Sequence, residues 1–251
     1  AVNDGDSDAS IRGMEGIVRH TWLVNPKTAI VFFYVTAAPF VKDFYMEGKA
    51  APTVLRHHQV ATHYGIAEVH CGPTVAEGIK QGQYTSKEFF PDTCHPSDIG
   101  HGVYAKLLLD ALLPTLDWKA PTTAPPPLPA PLMEDDLAYA NWTKIEPSEK
   151  SGDWVETTPG YYTYSGGWTT TSTASMKFPV KGKKVTLVFG TSNAKIKISG
   201  LGFEKSFTGF GGSGWVPQKI CIYDGPTQKE GVVTIEVEPE QVEAAMARAA
   251  R

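Results

Sequence analysis

The sequence is poor in cysteine and has no long apolar run. Its three cysteines, Cys71, Cys94 and Cys221, are too few for a disulfide scaffold and are not spaced as zinc ligands. The longest strongly apolar run, residues 29–33, is far shorter than the roughly 20 residues that a membrane-spanning helix needs. We therefore predict no membrane span, no metal site and no cofactor.

An excess of positive charge is also absent. The 251 residues include 23 Lys and Arg against 27 Asp and Glu, which gives a formal net charge of -4. Because a nucleic-acid-binding surface needs clustered positive charge, we expect no nucleic-acid partner. Hydrophobic residues make up 41% of the chain, which is typical of a globular protein.

The first residues lack the features of a signal peptide. The chain begins with Ala1 rather than Met, and it has neither a basic start nor an apolar segment after it. These features predict a mature or truncated product. The tripeptide Asn-Trp-Thr at 141–143 is an N-glycosylation acceptor, which favours a secreted or extracellular location.

A proline-rich stretch divides the chain. Residues 120–131 contain six prolines, which exclude a helix and favour an extended spacer. We therefore predict a linker at 120–131. It would join an α/β domain at 1–119 to an all-β domain at 132–251.

Helical and strand patterns alternate before the linker. Apolar residues at helical spacing predict a helix over 10–24, and the continuous apolar run at 29–35 predicts a strand buried on both faces. A helix at 54–64, a short strand at 66–70 and a helix starting near Ser97 follow. Strands that alternate with helices in this way imply βαβ units and a parallel sheet.

Strand patterns dominate after the linker. Residues 184–189 and 194–198 are predicted to form one hairpin, and residues 219–223 and 232–237 a second one around an Asp-Gly turn. Alternating polar and apolar positions favour strands with one buried face, as in a β-sandwich.

Aromatic residues of this all-β domain allow two interpretations. They could stack on sugar rings as a carbohydrate-binding face, or they could fill a small sandwich core. The residues concerned are Tyr161, Tyr162, Tyr164, Trp168, Phe207, Phe210 and Trp215.

The strongest candidate for catalysis is the segment Asp-Thr-Cys-His-Pro at 92–96. Asp92 lies three residues before His95, so its carboxylate can bind the ring Nδ1 and leave Nε2 free as a general base. A helix-capping turn explains the same spacing. Cys94 could be a nucleophile beside His95, but the side chains of adjacent residues point apart in most backbone conformations. We therefore interpret Cys94 as a structural thiol or as the partner of Cys71 in a bridge.

Three histidines form an apparent cluster at His57, His58 and His63. Their spacing does not place metal ligands on one helix face with a carboxylate. We interpret all three as part of a solvated helix surface.

Several blocks resemble SGNH (GDSL-type) hydrolases in both order and spacing. Ala-Val-Asn-Asp at 1–4 resembles the block with the oxyanion asparagine, and residues 92–96 resemble the final Asp-x-x-His-Pro block. The blocks 14–19, 25–26, 29–35 and 63–66 lie between them and also follow the family's order, as does the block 96–105 that comes next. The resemblance covers about residues 1–113.

This resemblance implies an esterase with a partial flavodoxin-like, three-layer α/β fold built on a parallel sheet. Its substrates would be acetyl or short acyl esters of carbohydrates. His95 would be the general base, Asp92 its orienting partner and Asn3 an oxyanion donor. The family's nucleophilic serine lies in a Gly-Asp-Ser block upstream of the asparagine block. We therefore expect another chain or segment to complete the sheet and supply that serine.

The tripeptide Gly-Asp-Ser does occur at 5–7, directly after the asparagine block. Ser7 is not separated from Asn3 as the family requires, so we interpret this stretch as a loop that caps a helix. The alternative to an esterase is a non-catalytic structural or carbohydrate-binding protein that retains a hydrolase-like remnant.

Overall fold

The chain divides into two compact units, residues 1–140 (unit 1) and 141–251 (unit 2). The computed structural model describes residues 2–115, 119, 127–134, 137–140, 145–157, 166–189, 192–210 and 218–238. The division falls after Ala140, whereas the proline-rich stretch predicts it within 120–131. Residues 120–126 of the predicted linker lie outside the described residues.

Unit 1 contains helices and a two-stranded parallel sheet. The helices are α1 Asp8–Val24, α2 Ala38–Asp43, α3 Pro52–Tyr64, α4 Cys71–Lys80, α5 Ser86–Phe89 and α6 Asp98–Leu112. The strands are β1 Val31–Tyr34 and β2 Ala67–His70. They pair in parallel, with Val31 opposite Ala67 and Tyr34 opposite His70. In the described residues the predicted parallel sheet is therefore present as two strands.

Local sequence signals set the ends of the main helices. Pro52 opens α3 at its first position, where a proline loses no intrahelical hydrogen bond. Gly65 ends α3 with a φ of 66°, a left-handed conformation that favours glycine. The Ser97 hydroxyl caps α6 by accepting from the Gly100 amide at 3.5 Å.

The core of unit 1 is formed by apolar side chains from several helices, β1 and the α5 region. Val18, Val60, Val75 and Phe89 are fully buried in it. Cys71 is also buried there, and this burial raises the pKa of its thiol to about 12. All three cysteines are free thiols, so the alternative of a bridge to Cys71 does not hold.

A segment beyond the predicted linker belongs to unit 1. The buried carboxylate of Glu15 on α1 accepts the backbone amides of Leu132 at 2.6 Å and Met133 at 2.9 Å. The same carboxylate accepts the Tyr64 hydroxyl at 2.6 Å. Arg19 donates to the Pro129 carbonyl at 2.8 Å. These contacts explain why the boundary lies after the stretch that the sequence assigned to the linker.

Unit 2 is built of antiparallel strands. They are β3 Glu149–Ser151, β4 Val155–Thr157, β5 Gly167–Thr169, β6 Ala174–Phe189, β7 Ser192–Gly200, β8 Phe203–Phe210 and β9 Gln218–Glu238. A five-stranded sheet has the order β3-β6-β9-β7-β8, and β4 pairs with β5 separately. Met176, Ile198 and Val233 are buried in its core.

Both predicted hairpins of unit 2 are wrong. Strand β6 pairs with β9, and β7 pairs with β8 and β9, so β6 and β7 are not neighbours. The Asp-Gly pair at 224–225 lies inside the long strand β9. Asp224 faces Lys184 across a shift in register, and the two side chains form an ion pair of 2.5 Å. The Asp-Gly signal therefore marks a bulged position rather than a turn.

The structure describes only some of the aromatic residues for which the sequence left two interpretations. Trp168 and Phe207 pack against the core, and the Trp168 ring lies 5.7 Å from that of Phe178. For these two residues the core interpretation holds. Four other positions, at 161, 162, 164 and 215, lie outside the described residues, as do the side chain of Phe210 and the tail at 239–251. Within the described part of the chain, no helix has the length and apolar character to cross a membrane.

Candidate active site

The loop between α5 and α6 brings Asp92 and His95 together. The Asp92 Oδ2 atom lies 2.6 Å from the Nδ1 atom of His95. Asp92 Oδ1 accepts the backbone amides of Cys94 at 3.0 Å and His95 at 2.7 Å. The contact predicted from the three-residue spacing is therefore present, although the catalytic role of the pair stays a prediction.

The helices on either side hold this loop in place. Thr85 and Glu88 form a reciprocal capping box at the start of α5. The Ser97 amide donates to the Phe89 carbonyl at 2.9 Å, and the Ser97 hydroxyl donates to the Glu88 carbonyl at 2.6 Å. The two hydrogen bonds of Ser97 join the end of α5 to the start of α6. They therefore hold the two ends of the loop 90–96 close together.

Electrostatics fixes the tautomer of the His95 ring. The hydrogen bond from the His95 side chain, followed by those from the His95 and Cys94 amides, holds the pKa of Asp92 well below its usual range. An ionised Asp92 accepts but cannot donate, so in the neutral ring the Nδ1 atom of His95 carries the proton and Nε2 has a free lone pair. The His95 side chain is 80% exposed. In the described residues Nε2 has no hydrogen-bond partner, so it is open to a substrate or a nucleophile.

Replacing Asp92 with asparagine should destabilise the protein in a pH-dependent way. The folded-state pKa of Asp92 is lowered, so its ionised form contributes stability above the unfolded-state pKa of about 3.9. That contribution is lost as the pH falls through the lower folded-state pKa. The free energy of unfolding should therefore be higher for wild type than for Asp92→Asn at neutral pH, and the two values should converge in acid. A difference that grows in acid would contradict this assignment.

Backbone strain marks the same loop. Thr93 has a φ of 73°, in the left-handed region that β-branched residues rarely adopt. Such a conformation costs about 1–3 kcal/mol and persists where surrounding contacts hold it. The Thr93 carbonyl accepts the Ala38 amide at 2.9 Å, just beyond the carboxyl end of β1. The Asp92–His95 loop thus lies at the end of a parallel strand, where ligands bind in open α/β sheets.

Asn3 lies in the loop before α1 and is exposed. It lines an open cleft of about 430 Å³ together with Ser7, Gly13, Ile17 and His57. Hydrogen bonds among the described residues do not connect Asn3 to Asp92 or His95. The third predicted site residue is therefore exposed in the cleft, and its role as an oxyanion donor stays a prediction.

The cleft also lies near the carboxyl end of β1. The ring of His57, on its wall, stacks against the ring of Tyr34, the last residue of β1, with centroids 6.2 Å apart. Asp4 Oδ2 lies 3.7 Å from the Nε2 atom of His57. The cleft and the Asp92–His95 loop therefore both lie near the carboxyl end of β1.

The solvated-surface interpretation is wrong for His57. This residue is 2% exposed, and burial lowers the pKa of its ring, which keeps the ring neutral. Its position within the apolar stripe of α3 is the signal that could have revealed this. The buried residues of that helix are Thr53, Val54, His57, Val60, Ala61 and Tyr64.

Of the other two histidines of the apparent cluster, His58 is exposed and His63 is half-buried. His58 forms a second carboxylate–imidazole pair, with its Nδ1 atom 2.8 Å from Glu68 Oε2. Its Nε2 atom is engaged by the Thr62 hydroxyl at 3.4 Å, unlike that of His95. His63 Nε2 lies 2.8 Å from the Ala130 carbonyl. The described ranges contain no group of three or more residues able to hold a metal ion.

Comparison with known proteins shows a likeness at the level of the fold. No protein-family model and no curated protein matches the chain. A solved structure of a two-domain esterase (CEX) active on acetylated mannans, co-crystallized with mannopentaose, matches with a TM-score of 0.71 and 20% identity. The match covers 96% of this chain and 66% of that esterase.

A second structure of a two-domain esterase (CEX) active on acetylated mannans gives a TM-score of 0.68, again at 20% identity. It covers 96% of this chain and 67% of the other. This chain thus spans about two thirds of the length of the esterase that it resembles. This chain combines helices with sheets, including a five-stranded antiparallel sheet, and its fold is similar to that of the esterase.

Proposed function

We propose that unit 1 is the base-bearing part of an SGNH-type esterase that removes acetyl or other short acyl groups from carbohydrates. The observation that carries this proposal is the 2.6 Å contact between Asp92 and His95 Nδ1, with Nε2 open to solvent. A carboxylate-oriented imidazole at the end of a parallel strand can act as a general base in acyl transfer.

The reaction would proceed through a serine nucleophile. His95 Nε2 removes the hydroxyl proton as the serine oxygen attacks the acyl carbonyl, and the resulting imidazolium returns that proton to the departing sugar oxygen. Water then attacks the acyl-serine with the same base and releases the carboxylic acid. Asp92 holds the ring and stabilises its charged form throughout.

Asn3 would act on the developing oxyanion. Its side-chain amide can donate a hydrogen bond to the tetrahedral intermediate if the substrate carbonyl lies in the cleft. One such donor contributes about 3 kcal/mol to transition-state stabilisation, or a factor on the order of 10² in kcat.

The serine would come from a Gly-Asp-Ser segment other than residues 5–7, in another segment or another chain. Ser7 occupies the N-cap position of α1 with an extended backbone, and its carbonyl accepts the Ser10 amide at 3.0 Å. It also lines the cleft beside Asn3. It does not bond to His95 among the described residues. We therefore assign the nucleophile to another segment or chain rather than to Ser7.

Carbohydrate esters are the substrate class that the fold comparison supports. The esterase with the similar fold acts on acetylated mannans, so we propose acetylated mannan as the first substrate to test. We also propose a secreted or extracellular protein, since the acceptor tripeptide at 141–143 is typical of secreted chains. That tripeptide lies outside the described residues.

A second candidate is a carbohydrate-binding protein without catalytic activity. The observation that favours it is the absence of a hydroxyl partner for His95 Nε2 among the described residues. A hydrolase remnant would keep the fold and the Asp92–His95 turn while lacking a nucleophile.

Hydrolysis of p-nitrophenyl acetate by the chain alone tests the assignment of the serine. We expect wild type to be no faster than His95→Ala, because an oriented base cannot replace a missing nucleophile. Robust turnover that disappears in Ser7→Ala would contradict our assignment and identify Ser7 as the nucleophile. Turnover that survives Ser7→Ala and disappears in His95→Ala would point to a different nucleophile within the chain.

A further inference from the structure

The loop that carries Asn3 is held by its neighbouring residues. Residues 2–7 precede α1, and Asn3 is exposed among them at the wall of the cleft. Within the described part of the chain, the Asn3 side chain forms neither a hydrogen bond nor an ion pair. The position of its amide group therefore depends on the contacts that fasten the rest of the loop.

One guanidinium of α3 spans two aspartates around this loop. The Nε atom of Arg56 lies 2.7 Å from Asp6 Oδ1, and its Nη1 atom lies 3.5 Å from Asp8 Oδ1. A planar guanidinium presents separate N–H groups in a fixed geometry, so it can bind two carboxylates at once. Arg56 thus joins the loop and the first residue of α1 to α3.

Two buried neighbours of Arg56 on α3 complete the contact. Thr53 and His57 are four residues apart, so they share one face of the helix. The Thr53 hydroxyl donates to the Asp4 carbonyl at 3.2 Å. The Nε2 atom of His57 lies 3.7 Å from Asp4 Oδ2. These contacts place Asp4, the residue next to Asn3, against α3.

Arg56 supplies the permanent positive charge of this contact. It is the only Lys or Arg of α3, and burial lowers the pKa of His57, which keeps that ring neutral. Three carboxylates follow one another at positions 4, 6 and 8. Like charges at such spacing repel each other, so the loop needs an opposite charge to stay close to α3. Loss of the guanidinium should therefore release the loop.

We propose that Arg56 is a positioning residue for Asn3. Through Asp6 and Asp8 it holds loop 2–7 on α3, and it thereby keeps the Asn3 amide at the wall of the cleft. This inference rests on the proposed function only for what Asn3 does to a substrate, because the clamp on the loop needs no substrate.

Backbone order in the full chain, measured by NMR relaxation, tests the clamp. We expect order parameters of about 0.85 for the amides of residues 4–8 in wild type, and below about 0.6 in Arg56→Ala. Arg56→Lys keeps the charge but loses the fork, so its values should lie between these two. Equal order in wild type and Arg56→Ala would overturn the proposal.

Lys106→Ala is the matched control for this measurement. It also removes an exposed ion pair on a helix of unit 1, since Lys106 Nζ lies 2.6 Å from Asp110 on α6. We expect the loop to remain as ordered in this variant as in wild type. A loop that loosens equally in Lys106→Ala would show that Arg56 has no particular role, and would also overturn the proposal.

Kinetics shows whether the clamp acts through Asn3. In the chain joined to a Gly-Asp-Ser segment ahead of residue 1, Arg56→Ala should lower kcat for p-nitrophenyl acetate about tenfold and leave KM within a factor of two or so. The double variant Asn3→Ala/Arg56→Ala should be no slower than Asn3→Ala alone, because both changes remove the same interaction. Additive losses, or a change in KM alone, would contradict positioning through Asn3.

The two measurements separate this inference from the proposed function. Loss of loop order in Arg56→Ala, together with full activity in Asn3→Ala, would uphold the clamp and contradict the oxyanion role of Asn3. A joined parent without turnover would contradict the proposed function. The order parameters of residues 4–8 would then decide the clamp by themselves.

Discussion

Turnover of p-nitrophenyl acetate is expected to appear when a Gly-Asp-Ser segment is joined ahead of residue 1, and to fall on the order of 10⁴-fold in His95→Ala. The physical reason is that members of a catalytic triad act as a unit. A supplied serine needs the free Nε2 atom of His95 to take its proton, and Asp92 provides the orientation through the 2.6 Å contact.

His58→Ala is the matched control for this experiment. It removes another exposed imidazole that is paired with a carboxylate, at 2.8 Å from Glu68, but whose Nε2 atom is engaged by Thr62. We expect turnover in His58→Ala to remain within a factor of two or so of the parent, because His58 lies outside the proposed catalytic pair. Equal losses in the two variants would show that His95 has no special role.

The second large effect concerns stability. Glu15→Ala should lower the free energy of unfolding of unit 1 by about 3 kcal/mol, because buried hydrogen bonds to a charged group are each worth about 1.5–3 kcal/mol and their loss is only partly recovered. The substitution leaves the amides of Leu132 and Met133 and the hydroxyl of Tyr64 without their buried acceptor. Segment 127–134 should then detach from α1.

Chemical denaturation, followed by hydrogen exchange of the Leu132 and Met133 amides, measures this effect. Glu77→Ala is the control, since Glu77 is an exposed helix residue whose carboxylate binds only the Gln81 side chain among the described residues. We expect less than 0.5 kcal/mol or so from that control. A Glu15→Ala protein as stable as wild type would show that segment 127–134 does not depend on this carboxylate.

Regular periodicity made much of unit 1 predictable. Helices α1, α3 and α6 and strand β1 follow apolar patterns of the expected period, and Gly65 ends α3 as a glycine at that position should. The Asp92–His95 contact was predictable as well, because a three-residue turn restricts where the two side chains can reach. Local spacing determines each of these features.

Features that depend on distant contacts were not predictable. The domain boundary follows from bonds between Glu15 and the amides of Leu132 and Met133, and backbone donors have no sequence signature. The second hairpin of unit 2 failed because an Asp-Gly pair signals a turn locally, whereas Lys184 pairs with Asp224 across two long strands. The first failed because β9 lies between β6 and β7 in the sheet. His57 was misassigned to the surface because histidine is a polar residue, whereas its position in the apolar stripe of α3 places it in the core.

Release of acetate from acetylated mannan tests the proposed function most directly. The protein joined to the Gly-Asp-Ser segment is incubated with the polymer, and free acetate is measured for the parent and for His95→Ala. We predict that the parent releases acetate and that His95→Ala releases it on the order of 10⁴-fold more slowly. Binding of the mannan with no acetate release by either protein would contradict an esterase and identify a carbohydrate-binding protein.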